Sequence, residues 1–128
     1  MNATDFSPKI KPSKKAEDRL FELRTYTPAP GKLANIVGRF RDHTTKLFKK
    51  QGMENIAYFT SIEKDPSKEA KLIYIVAHKN DEAAKASWDN FRKDPTWLKV
   101  KEASELNGKI VDKVESMFMS PTSFSTIR

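Results

Sequence analysis

The stretch FELRTYTPAPGKL, residues 21–33, sets a strand-like run against a Pro-Ala-Pro-Gly break and then opens a helix. Leu20 to Thr27 alternates and is rich in β-formers. Pro28 and Pro30 end it, because proline cannot donate to a strand ladder. Beyond Gly31, the apolar positions Leu33, Ile36, Val37, Phe40, Leu47 and Phe48, with Thr44 among them, recur at helical spacing. Lys49 and Lys50 suit the negative end of the helix dipole, and Gly52 is a natural stop, so the spacing predicts a helix over 31–51.

Working outward, Asn55 to Glu63 and Lys71 to His78 read as a hairpin joined by the polar turn EKDPSKEA, residues 63–70. Asn80 caps a second helix, with Asp81 and Glu82 in its first turn. Asp94-Pro95 starts another that Gly108 stops, and Lys109 to Met119 is the last strand. Residues 1–18, with Pro8 and Pro12 and few apolar side chains, read as a flexible leader; 19–120 form the domain and 121–128 a tail. The order β-α-β-β-α-(α)-β predicts an α+β, ferredoxin-like subunit with a four-stranded antiparallel sheet and helices over one face.

Strand parity then raises a question of assembly. Leu20, Glu22, Arg24 and Tyr26 share one face of their strand, and Phe21, Leu23 and Thr25 the other. Neither sheet face is cleanly polar. Leaving Ile56, Tyr58, Tyr74 and Val76 in water would make a large apolar patch, so two sheets are expected to pack face to face in a two-fold homodimer.

The chain has 128 residues and no cysteine, which excludes disulfides, thiolate chemistry and cysteine zinc sites. Net charge is +7, but no run of five like charges occurs and no helix-turn-helix spacing is present, so sequence-specific nucleic-acid binding is not expected. The first helix carries Lys32, Arg39, Arg41, Lys46, Lys49 and Lys50 against Asp42, which reads as a solvated basic face or a contact for an anionic partner. No segment approaches the length of a membrane span. A cytoplasmic protein is expected; a presequence removed before Met1 would leave no trace in this chain.

Glu22, Arg24 and Tyr26 are candidates for chemistry because polar groups stand there on an apolar strand. Arg24 would clamp a carboxylate or other oxyanion, and Tyr26 would donate a hydrogen bond. The other reading is an Arg24–Glu22 pair, or a pairing across the dimer, that orients the two sheets. His43, mid-helix at the edge of the apolar stripe, and His78, at a strand end beside Tyr74 and Val76, are the imidazoles available as a general base. Ordinary hydrogen bonding is the alternative for both, and no HxH or HExxH spacing supports a metal site. Trp88, Phe91 and Trp97 would pack the helices on the sheet or stack on a planar ligand. Asp112 and Glu115 fall on opposite strand faces, which argues against a paired-carboxylate glycosidase.

FELRTYTPAPGKL, FRDHTTKLFKKQGM, LIYIVAHKNDEAAKASWDNFRKDPTWLKV and KIVDKVESMFMSPTSFS together resemble the NIPSNAP family over roughly residues 20–124. The short, single-domain form is similar to the bacterial members. The resemblance implies a dimeric α+β barrel of ferredoxin-like subunits. The wider barrel group includes cofactor-free monooxygenases, isomerase-like enzymes, haem-binding enzymes and plain binding proteins, so kinship at this level does not fix function.

The expected function is binding of a small organic ligand in a semi-apolar barrel pocket, with an acid/base or oxygen-dependent step on it. Arg24 is the expected clamp, His43 or His78 the base, and Glu22, Tyr26, Tyr58 and Tyr74 the lining. Whether the chain is catalytic stays open in the sequence, and no cofactor or metal is called for. Two alternatives stand beside this reading: a non-catalytic interaction or membrane-associated module working through the basic helix or leader, and a haem-binding protein.

Overall fold

The Pro-Ala-Pro-Gly break falls where strand β2 (Leu20–Pro28) hands over to the helix layer. The structure, a computed structural model, describes residues 1–13 and 17–128; Lys14 and Lys15 of the leader lie outside the described residues. Pro28 is the last residue of β2, just past a register shift against the final strand, a position where its missing N–H disturbs no regular ladder. The Glu69 carboxylate accepts from the Gly31 and Leu33 N–H groups and so satisfies donors at the helix start.

The predicted helix over 31–51 is present across residues 33–50, but not as one regular coil. It comprises α1 (Leu33–Arg39), a π-helical turn (Phe40–Thr44) and α2 (Thr45–Lys50). The Thr44 hydroxyl donates to the Arg39 carbonyl inside that turn. Gly52 stops the helix in a left-handed conformation, φ +88°, with its N–H donating to the Lys49 carbonyl. A Cβ at Gly52 would meet only Ser87 Oγ at 3.8 Å, so the position is restricted by conformation rather than by space. Gly52→Ala is therefore expected to destabilise by about 1–2 kcal/mol through backbone strain alone, read as a lower urea midpoint at unchanged slope.

Strands β3 (Glu54–Thr60) and β4 (Leu72–His78) form the hairpin. Helix α3 (Asp81–Lys93) starts with the Asn80 side chain accepting from the Ala83 N–H, and α4 (Pro95–Ser104) with Asp94 accepting from the Thr96 N–H. Strand β5 (Val111–Met119) ends the fold. With β1 (Asn2–Ala3) at one edge, the sheet order is β1-β3-β4-β2-β5, antiparallel throughout. Its fifth strand, beyond the four expected, is β1, which lies in the stretch read as leader and pairs with the end of β3. Phe6 follows it and packs on Tyr58, 5.1 Å between ring centres.

The helices lie over the face that carries Glu22, Tyr26, Tyr58, Leu72, Tyr74 and Val76, and these side chains join Ile36, Phe40, Phe48, Trp88 and Phe91 in the core. This corrects the expectation that Tyr58, Tyr74 and Val76 need a second subunit to cover them: all three are fully buried within one chain. The face without helices is the opposite one, where Leu23, Ile73, Ile75 and Phe59 are half-buried and Met117 is 60% exposed. Parity sorts residues onto two faces, but with both faces apolar it does not say which receives the helices. No helix among the described residues is long and apolar enough to cross a membrane.

Candidate functional site

Four elements converge on one carboxylate. Glu22, on the core face of β2, is 1% exposed. Its Oε1 accepts from His78 Nε2 on β4 at 2.9 Å and from the Trp88 indole N–H on α3 at 2.8 Å. Its Oε2 accepts from Arg24 at 3.0 Å and from the Ser116 hydroxyl on β5 at 2.6 Å. The strand register explains the meeting: Glu22 pairs with Val76 and Phe118, and Arg24 with Tyr74 and Ser116. Side chains two apart on β2 share a face with the side chains of their cross-strand partners.

Burial alone would raise the Glu22 pKa. The hydrogen bonds from His78, Ser116, Trp88 and Arg24 outweigh it and hold the carboxyl at about 2, so Glu22 is ionised across the neutral range. An ionised carboxylate only accepts, so His78 presents a proton on Nε2, and in the neutral ring the lone pair is on Nδ1. That Nδ1 is buried without a partner among the described residues, and so is Arg24 Nε. The Arg24 guanidinium lies 4.1 Å from the Trp88 ring centre, a cation–π contact. Burial would lower its pKa, but the neighbouring Tyr74 and Tyr26 phenols and the Glu22 carboxylate raise it above the ordinary value.

The tyrosines extend the cluster into the core. The Tyr74 hydroxyl donates to Tyr26 Oη at 3.1 Å, and Tyr58 stacks on Tyr74 at 5.1 Å and 18°. The Tyr58 hydroxyl donates to Asn55 instead of joining the Glu22 network. Burial, with Tyr26 adding to it, pushes the phenols of Tyr58 and Tyr74 up, so both act as hydrogen-bond donors rather than bases at neutral pH.

The structure thus brings Glu22, Arg24, Tyr26, Tyr74 and His78 together, with Tyr58 one ring further in. His43 stands apart: it is exposed on the π-helical turn and lines a groove between α1 and α4. Trp88 and Ser116 are members that the sequence reading did not place. Trp88 reads as core and is core, yet its N–H serves Glu22. Ser116, a small polar residue between Val114 and Phe118 on one strand face, carries a weak signal that gains meaning only from the β2–β5 register. Trp97 packs on Phe91 at 4.6 Å. Arg39, counted on the solvated basic face of the helix, is buried. Among the described residues no group of three or more potential metal ligands clusters.

Comparison with known proteins places the fold. Among curated proteins none matches the chain in sequence. A NIPSNAP family protein of unknown function from Agrobacterium tumefaciens is 21% identical, with 89% of this chain and 97% of that chain covered at a TM-score of 0.73. A second A. tumefaciens NIPSNAP family protein is 17% identical over 94% of this chain and all (100%) of that one, at a TM-score of 0.74. A Streptomyces coelicolor monooxygenase, solved in complex with nanaomycin D, is 11% identical over 83% of this chain and 89% of that one, at a TM-score of 0.53. These likenesses establish a ferredoxin-like α+β fold shared with NIPSNAP and monooxygenase structures. The NIPSNAP family model itself matches residues 21–126, nearly the whole domain, and on that match the chain belongs to the NIPSNAP family.

Proposed function

We propose that this chain binds a small organic molecule at the seam of β2, β5 and α3 and moves a proton on it, working as a homodimer joined through the open sheet face. One observation carries the reading: beside a single ionised carboxylate stand two buried nitrogens without partners among the described residues, Arg24 Nε and His78 Nδ1. Buried polar groups are rarely left unpaired, because each such group costs about 1–3 kcal/mol. A ligand with an acidic O–H or C–H next to an oxygen would satisfy both. Its proton would pass to His78 Nδ1, with Glu22 stabilising the ring cation that forms, while Arg24 would hold the oxyanion left behind. The ligand would enter past Phe118, which is half-exposed on edge strand β5 with its ring 6.3 Å from that of His78. A Streptomyces coelicolor monooxygenase that shares the fold was solved with a small organic ligand, nanaomycin D, which is consistent with a small organic ligand here.

The test is a thermal-shift panel of small phenols, quinones and enolisable ketones, followed by calorimetric titration of any binder. A true ligand raises the melting temperature by mass action. Arg24→Lys loses the planar fork and is expected to weaken binding about tenfold or more. His78→Gln retains a donor toward Glu22 but no base, so binding is expected to survive while proton uptake from the ligand is lost. A panel in which nothing shifts the melting temperature, or a binder indifferent to both substitutions, overturns the reading.

A further inference from the structure

Arg39 is a buried guanidinium that no carboxylate among the described residues contacts directly; Glu105 favours its charge only from a distance. Each of the other arginines, Arg19, Arg24, Arg41, Arg92 and Arg128, pairs with a carboxylate. Arg39 is only 8% exposed, and among the described residues its hydrogen-bond partner is the Ser104 hydroxyl, 3.1 Å from one terminal nitrogen. Its Nε is buried and unpartnered. Trp97 offers a ring face at 4.9 Å, which steadies a cation but accepts no conventional hydrogen bond. A buried charge left this way is unfavourable unless something pairs with it.

The side chain borders a groove of about 470 Å³ between α1 and α4, whose lining includes Gly38, Arg39, Asp42, His43, Lys99 and Ala103. Arg39 and Lys99 outnumber the single carboxylate there, and Ala34, Gly38, Val100 and Ala103 supply small apolar wall between the polar groups. Gly38 adds a second, independent observation. Glycine is a poor helix former, and this one has no tight turn to serve and no neighbour that requires its smallness: a Cβ would meet nothing within 4 Å. Its absent side chain leaves the groove floor open. The π-helical turn that begins at Phe40, directly after Arg39, adds a residue to the coil, a device frequent at functional sites.

We propose that the α1–α4 groove binds a small carboxylate, its two oxygens on the Arg39 fork and its apolar body over Gly38 and Ala103. The planar fork offers donors in the arrangement a carboxylate accepts. A phosphate would require more donors than the Arg39 fork presents, since the Ser104 hydroxyl already donates to the Lys101 carbonyl. This site is separate from the Glu22 cluster and stands whether or not that cluster binds a ligand.

The experiment titrates the full chain with sodium benzoate, sodium acetate and inorganic phosphate at constant ionic strength, by calorimetry. Saturable benzoate binding, tighter than acetate, is expected. Gly38→Leu places a side chain in the groove from a position where a Cβ meets nothing within 4 Å, and replaces a poor helix former with a good one, so it is expected to melt no lower than the wild type while weakening benzoate binding at least about tenfold. Arg39→Lys is expected to weaken it similarly. Absence of saturable benzoate binding, phosphate binding more tightly than benzoate, or a Gly38→Leu variant that retains full affinity overturns the proposal.

Discussion

Glu22→Ala is expected to cost the fold about 3–5 kcal/mol, because it leaves the Arg24 charge and the donors of His78 and Trp88 buried around an empty position and takes away the partner of the exposed Ser116 hydroxyl. That is a large share of the stability of a domain this size, and it should lower the melting temperature by roughly 10–20 °C. An exposed control such as Glu102→Gln should change stability by less than about 0.5 kcal/mol. The same carboxyl predicts the acid limb. Its folded pKa, about 2, lies below the ordinary 4.5 of an unfolded chain. Its contribution is therefore complete above about 4.5 and is lost as pH falls from there through about 2. Allowing for solvent screening, the amount is on the order of 2–3 kcal/mol. Urea midpoints at about pH 7, 4 and 2.5 should show this loss in the wild type and its absence in Glu22→Gln. Parallel acid limbs for the two proteins would refute the assignment.

Ile75→Asp is expected to separate the proposed homodimer. Ile75 stands on the helix-free face of β4, between Ala57 and Leu23 on the flanking strands. On an isolated subunit an aspartate there would remain in contact with water and be tolerated. In a two-fold dimer the change counts twice. Each copy loses about 2 kcal/mol of apolar burial and adds a charge at the interface. The dissociation constant should rise by at least about a thousandfold. Sedimentation equilibrium reads this directly: the wild type should sediment as a dimer and the variant as a folded monomer. A wild type that remains monomeric at high concentration, or a variant that remains dimeric, would remove the assembly from the proposal.

Much of the candidate site is legible in the amino-acid sequence itself, because a strand exposes its pattern two residues at a time. Glu22, Arg24 and Tyr26 on one parity mark a polar interruption, and His78 falls beside Tyr74 and Val76 on another strand. The alternative of an Arg24–Glu22 ion pair, which the sequence also suggests, is present in the fold. His43 and Arg39 show where local reading gives out. A single uninterrupted helix from 31 to 51 puts His43 at the edge of the apolar stripe and Arg39 in solvent. The π-helical turn at Phe40–Thr44 inserts a residue and shifts the faces beyond it, and His43 is exposed; Arg39, ahead of the turn, is buried against Trp97 and Ser104 of α4.

Local physics in the chain was enough for the order of elements, their caps and the antiparallel α+β class. Proline and glycine breaks, capping Asn80 and Asp94, and the two hydrophobic periods act within a few residues of one another. Three things were decided only by the tertiary structure: which sheet face received the helices, that Asn2–Ala3 would add a strand, and that four donors would meet on Glu22. Each depends on the register between strands and the seating of helices over them. Register is set by contacts between residues dozens of positions apart, which no local window contains.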